Sequence, residues 1–208
     1  MLPDLLTKGG PMAWILVFAS AVALAVFLER MLHYHRAQIN SFEFLNGIRN
    51  VLKQKNVVEG LSICDATPGP VARLVKAALL SRDRGREGVR EALEEAGMQE
   101  VPKLEEKLNV IATIAQIAPL MGLLGTALGF IKVFEKMEQE GQFASASLMA
   151  GGVWEALIAT ALGLAVAIPC YIGYNYLVSR VNQIVLDMER ASNEIVSLVL
   201  DPGEAGES

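Results

Sequence analysis

The chain has little charge and few residues that could hold a metal or a disulfide. Asp, Glu, Lys and Arg make up 20% of its 208 residues, and its 18 basic residues are outnumbered by 23 acidic ones. This balance excludes the basic footprint of a nucleic-acid-binding protein. The two cysteines, Cys64 and Cys170, lie too far apart in sequence to indicate a disulfide framework or a metal motif, so we expect a structural role for each.

Histidine is equally scarce. His33 and His35 are the only two, and both follow the first apolar stretch. No third ligand accompanies them, so we expect solvated side chains at a membrane interface. The sequence therefore predicts no metal site and no cofactor.

Three long stretches contain no charge at all: Pro11–Leu28 with 18 residues, Leu108–Ile131 with 24 and Ala156–Val178 with 23. A bilayer is crossed by about 20 apolar residues in a helix, so all three qualify as transmembrane helices. The first stretch has the length of a signal peptide. However, only Lys8 precedes it and no small-residue cleavage pattern follows, so we expect an anchor that remains.

Lysine and arginine predict the orientation. The block from Glu29 to Lys107 carries 13 of the 18, which places it in the cytoplasm by the positive-inside rule. The expected order is a periplasmic tail (1–10), a first transmembrane helix (11–32), a cytoplasmic helical region (33–107), a second transmembrane helix (108–131), a periplasmic connection (132–152), a third transmembrane helix (153–178), and a cytoplasmic helix with a disordered tail (179–208).

The sequence also predicts helices in the polar regions. Short amphipathic helices are predicted over 41–55, 57–66 and 71–82, with breaks at 67–70 and 84–88, where Pro and Gly cluster. A charged helical pattern from Val89 runs into the second stretch without a turn signal, and the third continues towards Leu200. No strand-like alternation is visible. The predicted fold class is an all-α integral membrane protein, with three transmembrane helices, the second and third of which extend into a cytoplasmic helical bundle.

Glu155 is a single carboxylate at the mouth of the third uncharged stretch. An ionisable group near hydrocarbon is costly, so it is a functional-site hypothesis by default. The alternative is a carboxylate solvated among the outer headgroups, where the positive end of a helix dipole would favour it.

Thr126 and Thr160 occupy comparable depths in the second and third stretches. Either each hydroxyl bonds a carbonyl of its own helix, or the two contribute to a shared polar lining beside Glu155. Thr160, Tyr171 and Asn175 share one face of the third helix, which makes the last two candidates for the same lining.

A second polar face lies near the cytoplasmic end of the second stretch. Asn109, Thr113 and Gln116 follow one another at helical spacing. They either continue a wet pathway inward or form hydrogen bonds with neighbouring helices.

Small residues interrupt both helices. Gly125 and Gly129 form a small-xxx-small pair, Gly122 lies one turn before Thr126, and Gly163 stands in the third stretch. Such residues let helix backbones approach closely in lipid. The glycine run lacks the lysine of a phosphate-binding loop, so we expect it to serve helix packing.

Two segments resemble the signature of the MotA/TolQ/ExbB proton-channel family. They are Ile117–Gly129 (IAPLMGLLGTALG) and Glu155–Leu164 (EALIATALGL), the latter followed by Ala167-Ile168-Pro169 and Tyr174-Asn175. Three predicted spans, an outward amino terminus and Glu155 resemble the ExbB/TolQ branch more than the four-span flagellar stator subunit.

The resemblance implies a homopentamer around two copies of a single-span partner of the ExbD/TolR type, whose membrane aspartate takes and releases the proton. It also implies that Thr126, Glu155 and Thr160 line or support the proton pathway. The implied function is that of a bacterial inner-membrane, multi-pass motor subunit, not an enzyme, which converts proton motive force into work on a TonB/TolA-like periplasm-spanning protein.

Two other classes compete with this hypothesis. One is a helical membrane scaffold that conducts nothing. The other is an intramembrane hydrolase, which would need a nucleophile–base pair or two carboxylates at membrane depth. The chain offers one such glutamate, Glu155 at the edge of the third stretch, and no histidine within the stretches.

Overall fold

A computed structural model describes residues 10–37, 40–54, 56–140 and 146–200, and all secondary structure assigned in these ranges is helical. Residues 1–9 of the predicted periplasmic tail, residues 141–145 of the predicted connection and the predicted disordered end at 201–208 lie outside the described residues.

Seven α-helices and one short 3-10 turn make up the described chain. Three of the helices are long and apolar enough to cross a membrane, which confirms the prediction of an all-α protein with three long apolar helices. The elements are α1 (Gly10–Ala37), α2 (Ser41–Lys53), α3 (Val57–Ala66), α4 (Pro70–Leu80), the 3-10 turn (Arg82–Arg84), α5 (Gly85–Glu105), α6 (Leu108–Glu140) and α7 (Ala146–Leu200).

These helices form two compact units. We call the described residues of 1–29 and 107–177 the apolar unit, and those of 30–106 and 178–208 the polar unit. The apolar unit holds the uncharged stretches, and the polar unit holds the short amphipathic helices.

In the apolar unit, α6 and α7 run antiparallel with their backbones in close contact. A Cβ atom added to Gly163 would lie 2.6 Å from the carbonyl oxygen of Ala118, and one added to Gly129 would lie 2.9 Å from the Cβ of Ala156. Gly122 faces the backbone of α7 at Thr160 in the same way. We call this line of contact the α6–α7 seam. Its small residues allow dispersion forces to act at short range, which is how helices associate in lipid.

Helix α1 packs against the same pair. Leu16 is fully buried and forms a cluster with Ala118, Val166 and Ala167. Much of the remaining apolar surface points outward; Phe18, for example, is 72% exposed. Helices that are apolar all round suit a hydrocarbon environment.

The polar unit begins its short helices with matched caps. The side-chain oxygen of Asn40 accepts a hydrogen bond from the backbone N–H of Glu43, and Asn56 does the same for Glu59. Each glutamate also accepts a hydrogen bond from the side-chain amide of its asparagine. These caps explain why α2 and α3 start where they do.

Ion pairs join the helices of the polar unit. Glu100 on α5 is buried and accepts hydrogen bonds from Arg73 of α4 at 2.5 Å and from Lys103 at 2.6 Å. Arg49 of α2 pairs with Glu194 of α7 at 2.5 Å. A buried carboxylate is tolerated only with such partners, so Glu100 fixes α5 against α4.

One predicted continuity is wrong. The charged helix α5 does not run into the second apolar stretch, because it ends at Glu105 and a turn at 106–107 precedes α6. Lys107 in this turn has a φ of 63°, and Glu106 accepts a hydrogen bond from Arg30 at 3.1 Å. The turn lacks Gly, Asn or Pro. It is therefore held by tertiary contact and could not be read from local sequence.

Other boundaries differ by a few residues. Helix α5 starts at Gly85 instead of Val89, and α7 starts at Ala146, seven residues before the predicted third span. The break at 67–70 is confirmed, as are the helical extension of α6 up to residue 140 and of α7 to Leu200. Pro102 lies inside α5.

The seam makes a packing prediction. Gly163→Ala places a methyl group against the α6 backbone, and we expect it to destabilise the apolar unit by about 1–3 kcal/mol, the usual cost of overpacking. Gly151→Ala is the matched control on the same helix, since a Cβ there meets nothing within 4 Å. Thermal unfolding in detergent checks both, and equal midpoints would contradict the close contact.

The polar unit makes a prediction about Cys64, which is 5% exposed. Burial, aided by the Asp65 carboxylate and opposed by Lys76, raises the pKa of its thiol from 9.0 to about 11. The thiolate is the reactive form, so in a Cys170→Ser background we expect maleimide labelling at pH 7.5 to be about a hundredfold slower than in the denatured chain.

The same pKa shift fixes a sign for stability. The folded state favours the neutral thiol, so the contribution of Cys64 is fully present below about pH 9 and falls as pH rises towards 11. Equal labelling rates in native and denatured chains would show that the thiol is not buried.

Candidate functional site

The α6–α7 seam brings two predicted site residues together. The hydroxyl of Thr126 on α6 and that of Thr160 on α7 are hydrogen-bonded to each other. Thr126 also lies within hydrogen-bond distance of two carbonyl oxygens, 3.2 Å from Gly122 on its own helix and 3.1 Å from Ala156 on α7. Thr126 thus has a carbonyl of its own helix within reach, as one alternative expected, and the contact between the two hydroxyls joins the helices. The lining shared with Glu155 stays a prediction.

The pair has two hydroxyl protons and more acceptors than it can fill. In one arrangement Thr160 donates to Thr126, which donates to Ala156. In the other Thr126 donates to Thr160, which donates to the carbonyl of Gly122, 3.4 Å away. A hydroxyl offers one donor and two lone pairs, so the direction of the chain can reverse without moving the helices.

Glu155 lies further along the seam and meets two other elements. Its Oε1 accepts a hydrogen bond from the Nζ of Lys132 on α6 at 2.7 Å. A Cβ added to Gly10, the first residue of α1, would lie 2.4 Å from the same oxygen. The side chain of Glu155 is 27% exposed and that of Lys132 is 51% exposed. Three helices therefore meet at this ion pair.

The register of the seam explains this placement. Gly129 lies against Ala156, so the residues one turn further along α6 come opposite the start of the third uncharged stretch. Lys132, the first charge after the second uncharged stretch, reaches Glu155, the last charge before the third. Because the helices are antiparallel, the order of charges along the chain brings Lys132 opposite Glu155.

Glu155 and the two threonines lie on the same seam with different partners. The carboxylate contacts Lys132 and the region of Gly10, whereas the hydroxyls contact each other and backbone carbonyls. Around an ideal helix Glu155 lies about 140° from Thr160, which agrees with this division.

The remaining polar candidates lie at the surface of the described chain. Asn109, Thr113 and Gln116 on α6 are exposed, and so are Tyr171 and Asn175 on α7. Thr113 donates to the carbonyl of Asn109 at 2.7 Å, a bond within its own helix. Within a single copy these five side chains do not enclose a lining.

The sequence analysis did not single out Lys132, which contacts Glu155 in the structure. It was read there as a residue of the outer connection, although its position at the end of an uncharged stretch was a signal. Among the described residues, no group of three or more His, Cys, Asp or Glu side chains is arranged to hold a metal ion.

Comparison with known proteins shows which family the chain resembles. A model of the MotA/TolQ/ExbB proton channel family matches residues 66–190. The chain is 27% identical over 181 residues to a putative biopolymer transport protein ExbB homolog of Methanothermobacter thermautotrophicus, covering 86% of this chain and 63% of that protein.

Two further relatives carry the two names of one branch. The chain is 37% identical over 112 residues to the Tol-Pal system protein TolQ of Haemophilus influenzae, covering 54% of this chain and 49% of that protein. It is 44% identical over 95 residues to the biopolymer transport protein ExbB of Aquifex aeolicus, covering 46% and 64%. The chain thus spans less than two thirds of the length of each of these three relatives.

The family match covers more than half of the chain and includes both the Thr126–Thr160 pair and Glu155. With three apolar helices long enough to cross a bilayer, the chain is a multi-pass membrane protein. It belongs to the MotA/TolQ/ExbB proton channel family, on the ExbB/TolQ branch.

Proposed function

We propose that this chain is a proton-conducting motor subunit of a bacterial inner membrane. With a single-span partner of the ExbD/TolR type it converts proton motive force into work on a TonB/TolA-like periplasm-spanning protein. The observation that carries the proposal is the arrangement of the α6–α7 seam, where a carboxylate lies beyond a pair of hydroxyls that can reverse their hydrogen bonds.

The proposed topology follows the distribution of basic residues. The amino terminus lies in the periplasm, residues 33–107 form a helical region in the cytoplasm, and residues 179–200 join that region as a bundle. The connection over 132–152 lies outside. In this orientation Glu155 faces the side from which protons enter.

A partner is required by the shortage of titrating groups. The three uncharged stretches hold no acidic or basic side chain, and Glu155 lies at the edge of the third. Hydroxyl groups relay hydrogen bonds but do not take up an additional proton at neutral pH. We therefore propose that the partner supplies a carboxyl group that does. One charge moved through 100 mV yields about 2.3 kcal/mol, and that energy is available for a movement of the subunits.

The exposed polar side chains fit an assembly of several copies. A single copy presents Asn109, Thr113, Gln116, Tyr171 and Asn175 on its surface. Polar side chains in a membrane span normally face a protein interior or a water-filled cavity. We propose that in a homopentamer they turn towards the partner helices or a neighbouring copy and continue the polar route inward.

A non-conducting scaffold is the alternative, and one observation favours it. In the single copy both hydroxyls already have protein partners, and Glu155 is paired with Lys132. A bundle that only supports other proteins would satisfy its polar groups in the same way.

Proton flux separates the two functions. We expect liposomes that contain this chain and its single-span partner to conduct protons under an imposed potential, and Glu155→Ala to lower that flux about tenfold or more, as expected for loss of a positioned proton-transfer group. Size-exclusion chromatography confirms assembly. Undiminished flux in a correctly assembled variant would reject the role of Glu155, and no flux from the unaltered complex would favour the scaffold.

The hydroxyl pair makes a separate prediction. Thr126→Val and Thr160→Val keep the branched shape but remove a link in the hydrogen-bonded pair, so each should lower proton flux, while Thr→Ser at either position should retain most of it. The double Val variant should be little worse than one single variant, because either change breaks the same pair. Thr67→Val, which removes a hydroxyl bond to the carbonyl of Ile63 within the polar unit, is the control. Full activity in both single Val variants would contradict the proposed pathway.

A further inference from the structure

We propose that Lys132 is a positioning residue for the proton pathway, because its ammonium group holds the Glu155 carboxylate in place against the beginning of α1. This inference rests on the proposed function and adds to it a residue on the helix opposite Glu155.

The geometry singles out Lys132 among the basic residues of the apolar unit. Its Nζ lies 2.7 Å from the Oε1 of Glu155, within the range of a charge-assisted hydrogen bond. The bond joins α6 to α7 and crosses the seam between the contact of Gly129 with Ala156 and that of Gly152 with Val133. Lys136, one turn further along α6, is exposed and carries the same charge.

The other side of the carboxylate is bounded by backbone. Gly10 comes so close to Oε1 that an added Cβ would lie 2.4 Å from it. A side chain at residue 10 would therefore displace the carboxylate from the position that it occupies beside Lys132. Lys132 draws the carboxylate from one side and Gly10 limits it on the other, so a side chain with three rotatable bonds is held in one place.

This arrangement has a consequence for proton transfer. A proton that arrives at Glu155 neutralises the carboxylate and removes its attraction to Lys132, which keeps its own charge. Uptake of a proton by Glu155 is therefore coupled to release of its carboxyl group from Lys132. Without Lys132 the carboxylate is free to turn towards the headgroups, and a proton meets it in the productive position less often.

Among the residues of α6 whose side chains are described, the other charged ones near this end are Glu135, Lys136 and Glu138. All three are exposed. The residue of α6 that is seen to bind the carboxylate of Glu155 is Lys132. The inference thus depends on one ion pair and can be tested by variants of its two members.

The experiment measures proton flux in liposomes that contain the full-length chain with its single-span partner, with a pH-sensitive dye inside and a potassium diffusion potential across the membrane. The variants are Lys132→Met, Lys132→Arg, Glu155→Gln, the double variant Lys132→Met/Glu155→Gln, and Lys136→Met as the charge-matched control.

We expect Lys132→Met to lower flux about threefold or more, as coupling energies between contacting residues suggest. Lys132→Arg should restore most of the flux because its guanidinium also pairs with a carboxylate, and Lys136→Met should leave it unchanged. In the Glu155→Gln background, Lys132→Met should have no further effect, because a positioning residue acts only through the group that it holds.

Each contrary result has a distinct meaning. If Lys132→Met conducts normally while Glu155→Gln does not, the positioning role is wrong and the proposed function stands. If the two substitutions lower flux independently, Lys132 acts elsewhere and the inference is overturned. If the unaltered complex conducts nothing, the proposed function fails first.

Discussion

The close approach of α6 and α7 is the constraint on which the rest of the apolar unit depends. Lipid gives two helices no hydrophobic reason to associate, so they must gain from dispersion at short range and from satisfied polar groups. Glycine at positions 122, 129 and 163 lets the backbones meet and fixes one antiparallel register. The same register sets Thr126 against Thr160, and about one and a half turns further on it sets Lys132 against Glu155. Packing and chemistry therefore share one line of contact.

The sequence was sufficient for features that depend on composition or local spacing. Uncharged stretches of 18 to 24 residues predicted three long apolar helices, and the cluster of Pro and Gly at 67–70 predicted the break before α4. The break predicted at 84–88 was misplaced, because residues 85–88 belong to α5. Thr126 and Thr160 were matched by depth alone, since antiparallel helices of known length place residues at comparable levels. The pairing of Glu155 with Lys132 was not foreseen, because it needs the rotation of each helix about its axis as well as its depth.

The prediction of a continuous helix through residues 106–107 failed for a different reason. Helical spacing continues through Glu105, Glu106 and Lys107, and all three residues are ordinary helix formers, so local propensity favours an unbroken helix. In the polar unit, however, Glu106 bonds Arg30, whose side chain is buried, and Arg30 also donates to the carbonyl of Lys103. A buried guanidinium requires such partners. Its demand for acceptors outweighs a preference of a few tenths of a kcal/mol per residue, and that demand is invisible until the fold is known.

In the proposed function, the polar groups of the seam have to both seal a membrane and pass protons. Hydrocarbon offers no hydrogen bonds, so Thr126, Thr160 and Glu155 take partners within the protein. A proton carrier, whether water or a carboxyl group of the partner, must displace one of those bonds and replace it with its own. The net value of a typical hydrogen bond is about 0.5–1.5 kcal/mol, less than the roughly 2.3 kcal/mol that one charge gains across 100 mV. Under the proposed function, this exchange is therefore within reach of the membrane potential, and the resting pairs would close the route again when the carrier leaves.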